Sequence, residues 1–209
     1  MAYDESLSEF YALLDACNDP NVSKREEAEA RLWSRFGAEK TVLVLDMAGF
    51  TTKVQKHGLL FFLRKIRYMQ KIVAPILETW KGELVKFEAD NGYCVFNNKV
   101  DAVYCALEIH QTFADLCNGL PDVDNVQVGI GIAHGKILLI PQHDFFGDAV
   151  NLAAKLGEDV ADDGETLVSN TLFLEIESQE KLGLEPLNFS VSGLQLEAGR
   201  VFIAVDRFS

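Results

Sequence analysis

Basic residues are scarce in this sequence: 19 Lys and Arg stand against 32 Asp and Glu, a formal net charge of -13. Non-specific binding to nucleic acid or to an anionic membrane surface needs a basic face, so neither is expected as a partner. Cysteine is scarce too. Cys17, Cys94, Cys105 and Cys117 lie far apart without a CxxC pair, and with no secretory signal in view they read as reduced thiols, in a cytoplasmic setting. Long apolar runs are missing: Gly58-Leu59-Leu60-Phe61-Phe62-Leu63 is cut short by Arg64-Lys65, well below the ~18–20 residues of a membrane span, so no membrane insertion of this chain is expected. Internal repeats and low-complexity tracts are also absent. What remains is ample material for a core, with 209 residues and 48% hydrophobic content, which points to one domain with a short extension.

The stretch Thr41 to Thr51, TVLVLDMAGFT, organises the rest. Its β-branched and aliphatic run reads as a fully buried strand that ends on Asp46, after which Ala48-Gly49 turns the chain into an element starting at Phe50-Thr51. Asp46 is either a metal-binding acid or the cap of a following helix. Upstream, residues 5–36 read as two helices around Asp19-Pro20, with Gly37 as the cap of the second and the extension ending near Ala38. Downstream, Leu63, Ile66, Met69, Ile72, Val73 and Ile76 give Leu59 to Thr79 the spacing of a long amphipathic helix containing Pro75. Glu83 to Ala89 and Tyr93 to Phe96 read as two strands around an Asp90-Asn91-Gly92 turn. A helix over Val100 to Leu116 follows, then a strand over Val126 to Ala133, whose glycines invite close approach of a backbone or ligand. Lys136 to Ile140 continues as strand, Phe146 to Leu156 is helical, and Thr166-Leu167-Val168 is a short strand. A helix from about Asn170 and strands near 187–191 and 201–205 complete the chain.

Strand, two helices, hairpin, helix, strand is the order of a ferredoxin-like α+β core, with helices covering one face of a mainly antiparallel sheet. There the first strand and the hairpin are neighbours, so Asp46 and Asp90 converge. Two carboxylates at one spot require a divalent cation or a shared proton, and magnesium or manganese is the natural filler.

Five stretches, LDMAGFT, LVKFEADNGYCVF, VGIGIAHGKI, DFFGDAVNLAAKL and GETLVS, occur in an order that resembles class III nucleotidyl cyclase catalytic domains, over roughly Thr41 to Val205. The resemblance implies a catalytic domain over 39–209 behind an extension over 1–38. It implies that Asp46 and Asp90, with Met47, hold two divalent cations, Mg2+ or Mn2+, and that the backbone of Ala48, Gly49, Phe50 and Thr51 contacts a triphosphate. Lys86 and Asp144 stand at the base-reading positions. A lysine facing N1 and a carboxylate facing the N6 amino group complement adenine and mismatch guanine, so ATP is the implied substrate. Asn151 matches the residue that orients the ribose. Four residues later Lys155 replaces the family's Arg, keeping the charge but losing the planar fork. Lys136 fits a further phosphate contact, Arg200 is the nearest basic group to the family's late lysine, and Ala89 replaces the usual glycine before the second acid. The family's site lies between two chains, which implies a head-to-tail homodimer. His134 and His143 have no ligand-like spacing. The expected activity is formation of cyclic AMP and pyrophosphate from ATP. The alternatives are a degenerate nucleotide-binding regulatory domain and a cyclase for guanine or pyrimidine nucleotides. An upstream sensor domain or protein is a possible partner.

Overall fold

The computed structural model of the protein describes residues 2–47, 58–119, 125–179, 181–191 and 194–204. It opens with two helices, α1 (Ala2–Ala16) and α2 (Val22–Phe36). Asn21 starts α2 by accepting hydrogen bonds from the Ser23 and Lys24 amides, which satisfies donors that have no partner within the helix. Gly37 ends it, but not as a left-handed cap: its backbone is extended, at φ -69° and ψ 131°. Glycine is required because a Cβ there would overlap the Trp33 carbonyl. The chain therefore passes without a loop into β1 (Gly37–Met47), which begins earlier than the expected Thr41.

The β1 strand lies inside the sheet, antiparallel to β3 (Asn91–Phe96) on one side and to β4 (Val128–Ile140) on the other. Beyond β3 lies β2 (Glu83–Glu88); beyond β4 come β6 (Thr166–Ser169), β8 (Leu194–Ile203) and β7 (Leu182–Val191), and β5 (Asp144–Phe146) pairs with the end of β4. Every pairing is antiparallel except β4 with β6. The two segments expected over 126–133 and 136–140 are one continuous strand, and the last two strands are longer than their sequence pattern predicts.

Val42, Leu43, Val44 and Leu45 are all fully buried because both faces of β1 are covered, which is why this strand shows no polar alternation. Leu43 and Leu45 pack with α3 (Leu59–Thr79), α4 (Lys99–Cys117) and α6 (Asn170–Ile176). Val42 and Val44 face the second layer, the short helix α5 (Asp148–Ala154) and the π-helical turn over Lys155–Val160 that continues it. The helical layer is thus the expected mixed α+β arrangement, with a smaller cover on the other face. Along α3 the buried stripe is Phe62, Ile66, Met69, Val73, Ile76 and Leu77, whereas Leu63, expected inside, is exposed. Pro75 sits within α3 without ending it. The element expected to start at Phe50-Thr51 lies outside the described residues.

The glycines of β4 admit a backbone rather than a ligand. A Cβ on Gly131 would overlap the Ala153 carbonyl and the Gly157 amide, and one on Gly157 would lie 2.7 Å from the Val44 carbonyl oxygen. Only bare backbone lets α5 and its π turn lie this close to β1 and β4. The four cysteines are free, and burial raises the thiols of Cys94 and Cys105, the latter to about 12, so neither supplies a thiolate near neutral pH.

Candidate active site

Strand register brings the two acids together. Asp46, near the end of β1, pairs with Asn91 of β3, and Asp90 is the residue before Asn91 in the β2–β3 turn. That turn is Ala89-Asp90 rather than the expected Asp90-Asn91-Gly92, because Asn91 and Gly92 already belong to β3. Ala89 takes the left-handed conformation at φ 52°, an uncomfortable one for a residue with a Cβ. Asp46 is pushed up to about 7 from its ordinary 3.8, first by burial and then by the negative charges of Asp90, Glu158 and Asp163, against a hydrogen bond from the Met47 backbone. Burial also raises Asp90. The Asn91 side-chain oxygen is buried and finds no hydrogen-bond partner among the described residues. Carboxylates and an amide oxygen, all hard donors in a locally negative setting, fit a hard divalent cation. Among the described residues no group of three or more His, Cys, Asp or Glu gathers for metal binding; the pair leaves most of a cation's coordination sphere to other oxygens.

The raised carboxyl has a consequence for stability. The folded chain keeps the Asp46 proton more tightly than the unfolded chain, so without metal its stability falls as pH rises from the unfolded value of 3.8 to about 7, and the loss is complete above that window. In EDTA, Asp46→Asn should therefore raise the thermal midpoint at pH 8 and leave it nearly unchanged at pH 4. Calorimetry with and without Mn2+ checks the counterpart: the cation should stabilise the wild type at pH 8 and stabilise the variant much less.

Lys86 and Asp144 meet directly, Nζ to Oδ1 at 3.1 Å. A β-bulge makes this possible. The β2–β3 register shifts between Leu84 and Lys86, so that Lys86 pairs with Tyr93 and faces the same side of the sheet as Val85 instead of alternating away from it. The ammonium sits 5.2 Å from the Tyr93 ring centroid and also pairs with Glu88 at 3.0 Å. Burial alone would lower the Lys86 pKa, but the hydrogen bonds to Glu88 and Asp144 raise it, so this side chain stays a donor. Phe145, next to Asp144, packs edge-on against Tyr93 with ring centroids 6.1 Å apart.

Asn151 is exposed on α5, and the Lys155 amide donates to the Asn151 carbonyl, so the two are one helical turn apart before the wider π turn begins. Lys136 is exposed on β4, opposite Glu39 and seven positions along the sheet from the level of Asp46. At ~3.3 Å per residue that is ~23 Å of strand. Arg200 is not a free cation: it is bound to Glu165 and to Glu185, the latter at 3.1 Å. Met47 is buried at the end of β1. Ala48, Gly49, Phe50 and Thr51, expected at the triphosphate, lie outside the described residues. Four neighbours were not singled out from sequence. Tyr93 donates to Glu158 Oε1 at 2.9 Å, Glu158 and Asp163 bear on Asp46, and Glu88 shares Lys86. Tyr93 was the traceable one, since strand alternation sets it on the face of Val95.

Acids on adjacent strand ends and a lysine–carboxylate pair beside the Tyr93 ring, on the same sheet face as Asp46, accompany a match of residues 37–189 to the family model for the adenylate and guanylate cyclase catalytic domain; the chain belongs to this family. A putative adenylate cyclase 3 of Rhizobium meliloti (strain 1021) is 26% identical over 129 residues, which is 62% of this chain and 22% of that protein. The chain thus spans about a fifth of that relative. Among solved structures, an adenylate/guanylate cyclase/hydrolase from Silicibacter pomeroyi aligns with a TM-score of 0.68 at 26% identity, covering 81% of this chain and 99% of that one. The guanylate cyclase domain of RhGC from Catenaria anguillulae, in complex with GTP, has the same fold, with a TM-score of 0.68 at 19% identity over 80% of this chain and 98% of that one. No helix among the described residues is long and apolar enough to cross a membrane.

Proposed function

We propose that this domain is an adenylate cyclase, converting ATP to 3',5'-cyclic AMP and pyrophosphate at the interface of a head-to-tail homodimer. The observation that carries the choice of ATP is the Lys86–Asp144 contact at 3.1 Å, a donor beside an acceptor, complementary to adenine N1 and its N6 amino group. Guanine, with O6 and N1–H in those places, would set acceptor against carboxylate and donor against ammonium.

Asp46 and Asp90 would hold two divalent cations. When bound, such ions lower the pKa of the ribose 3'-hydroxyl and steady the triphosphate and the departing pyrophosphate. The chain's own groups do the rest. Lys86 and Asp144 fix the base, Asn151 orients the ribose, Lys155 offsets charge on the reacting phosphate, and Lys136 and the backbone of 48–51 hold the remaining phosphates. The distance from Lys136 to the level of Asp46 supports a site drawn from two chains, since one triphosphate cannot reach both within a single chain. A second reading, nucleotide binding without turnover, draws on Arg200, whose ties to Glu165 and Glu185 leave it unavailable to phosphate.

The test is incubation of the purified protein with each of the four ribonucleoside triphosphates and Mn2+ or Mg2+, with chromatography of the products. Cyclic AMP is expected to dominate. No cyclic product from any nucleotide would favour the binding-domain reading, and an excess of cyclic GMP, CMP or UMP would overturn the base assignment alone.

A further inference from the structure

The N-terminal helices do not stand apart from the rest of the chain. Phe10 of α1 and Leu32 and Phe36 of α2 are buried with Ile140, at 2%, 5%, 3% and 0% exposure, and Leu138 packs against the same cluster. Phe10 stands edge-on to Phe36 at 5.2 Å and stacks on Phe146 at 5.7 Å, with the two rings 16° from parallel. Leu138 and Ile140 are the β4 residues that pair with Phe146 and Asp144 of β5. The cluster therefore grips both ends of the three-residue strand on which Asp144 sits. Phe145, between them, is buried on the other side against Tyr93, the ring over which Lys86 lies.

From this arrangement we infer that the N-terminal helical hairpin is a positioning element of the base subsite, and that Phe10, through its stack on Phe146, sets where the Asp144 carboxylate meets Lys86. The inference rests on the adenylate cyclase reading above. A three-residue strand at the end of a sheet has few hydrogen bonds of its own, so its place is set by what packs on it. Removing the Phe10 ring leaves a void that β5 can relax into, and a carboxylate displaced by a fraction of an ångström loses its hydrogen-bond geometry toward the base while the metal acids, on β1 and the β2–β3 turn, stay where they are. Phe10 and Phe146 are positioning residues here; neither is placed against the nucleotide.

The experiment uses the full chain with Phe10→Ala, Phe10→Leu and Phe146→Ala, assayed for turnover of ATP and GTP and, in EDTA, for binding of fluorescent N-methylanthraniloyl ATP and GTP. Phe10→Ala and Phe146→Ala should raise KM for ATP and weaken ATP-analogue binding by ~10-fold, narrow the preference for adenine over guanine, and change kcat by no more than ~2-fold; Phe10→Leu should restore most of the preference. Phe146 is half exposed, so its variant tests the same contact if Phe10→Ala fails to fold. A lower kcat at unchanged KM and unchanged base preference would show a purely structural role and overturn the inference. Wild-type protein that binds the ATP analogue but forms no cyclic product would overturn the enzyme reading instead, with the binding arm still deciding the role of Phe10.

Discussion

Asp46→Asn should abolish cyclic nucleotide formation, lowering kcat/KM by at least ~10³-fold, because losing several kcal/mol of transition-state charge stabilisation costs tenfold for each ~1.4 kcal/mol. The same substitution should leave the fold intact and, without metal, more stable above neutral pH. Both halves of this result come from one feature: burial and the charges of Asp90, Glu158 and Asp163 push the Asp46 carboxyl up to about 7. A purely structural acid in that position would be a liability, since the strand would be better served by an uncharged residue. Asn keeps the size and the β1–β3 pairing while removing the charge, so circular dichroism and calorimetry separate lost chemistry from lost structure. A variant that retained more than a tenth of wild-type turnover would remove Asp46 from the metal-binding role.

Much of this site could be read from local pattern. The buried run ending on Asp46, the hairpin acid Asp90, the helix bearing Asn151 and Lys155, and the glycines of β4 all stand where short-range periodicity and turn chemistry place them. The elements that escaped depend on long-range register. Lys86 faces Asp144 only because a bulge at Val85 breaks the alternation of β2, and nothing in LVKFE marks that bulge. Glu158 reaches Tyr93 because the helix after Asn151 widens into a π turn, seated on the glycines of β4 in a way that shows only once the layers are packed. Leu63 was misplaced because the leucines and phenylalanines from Leu59 onward offer two adjacent stripes, and packing against the sheet chose the one through Phe62. The Asp90 turn was drawn one residue too late since Asp-Asn-Gly is a stronger turn signal than Ala-Asp, while cross-strand pairing of Asn91 with both Asp46 and Glu88 overrode it. Glu88 was not singled out, since its pairing with Lys86 also follows from the bulge.

The proposed head-to-tail dimer makes the last and most distinctive prediction: two inactive variants should restore one another. In the proposed roles Asp46→Asn removes a metal acid and Asn151→Ala removes the ribose contact, from an exposed position on α5; each homodimer would carry the same defect in both of its sites. In a heterodimer of the two, a site that takes its acids from one chain and its Asn151 from the other is either intact in both respects or damaged in both. Random re-pairing of equal amounts makes half the dimers mixed, each with one intact site, so activity should return to about a quarter of the wild-type level from a background near zero. The measurement is cyclic AMP formation after the separately purified variants are mixed and allowed to exchange subunits, followed over dilution so that dimer dissociation shows as lost activity. If instead each chain built its own complete site, the mixture would stay as inactive as its components at every concentration. Asp46→Asn mixed with Asp90→Asn is the internal control. In the proposed arrangement both acids belong to the same half-site, so in that mixture each site lacks one of them and no activity should return.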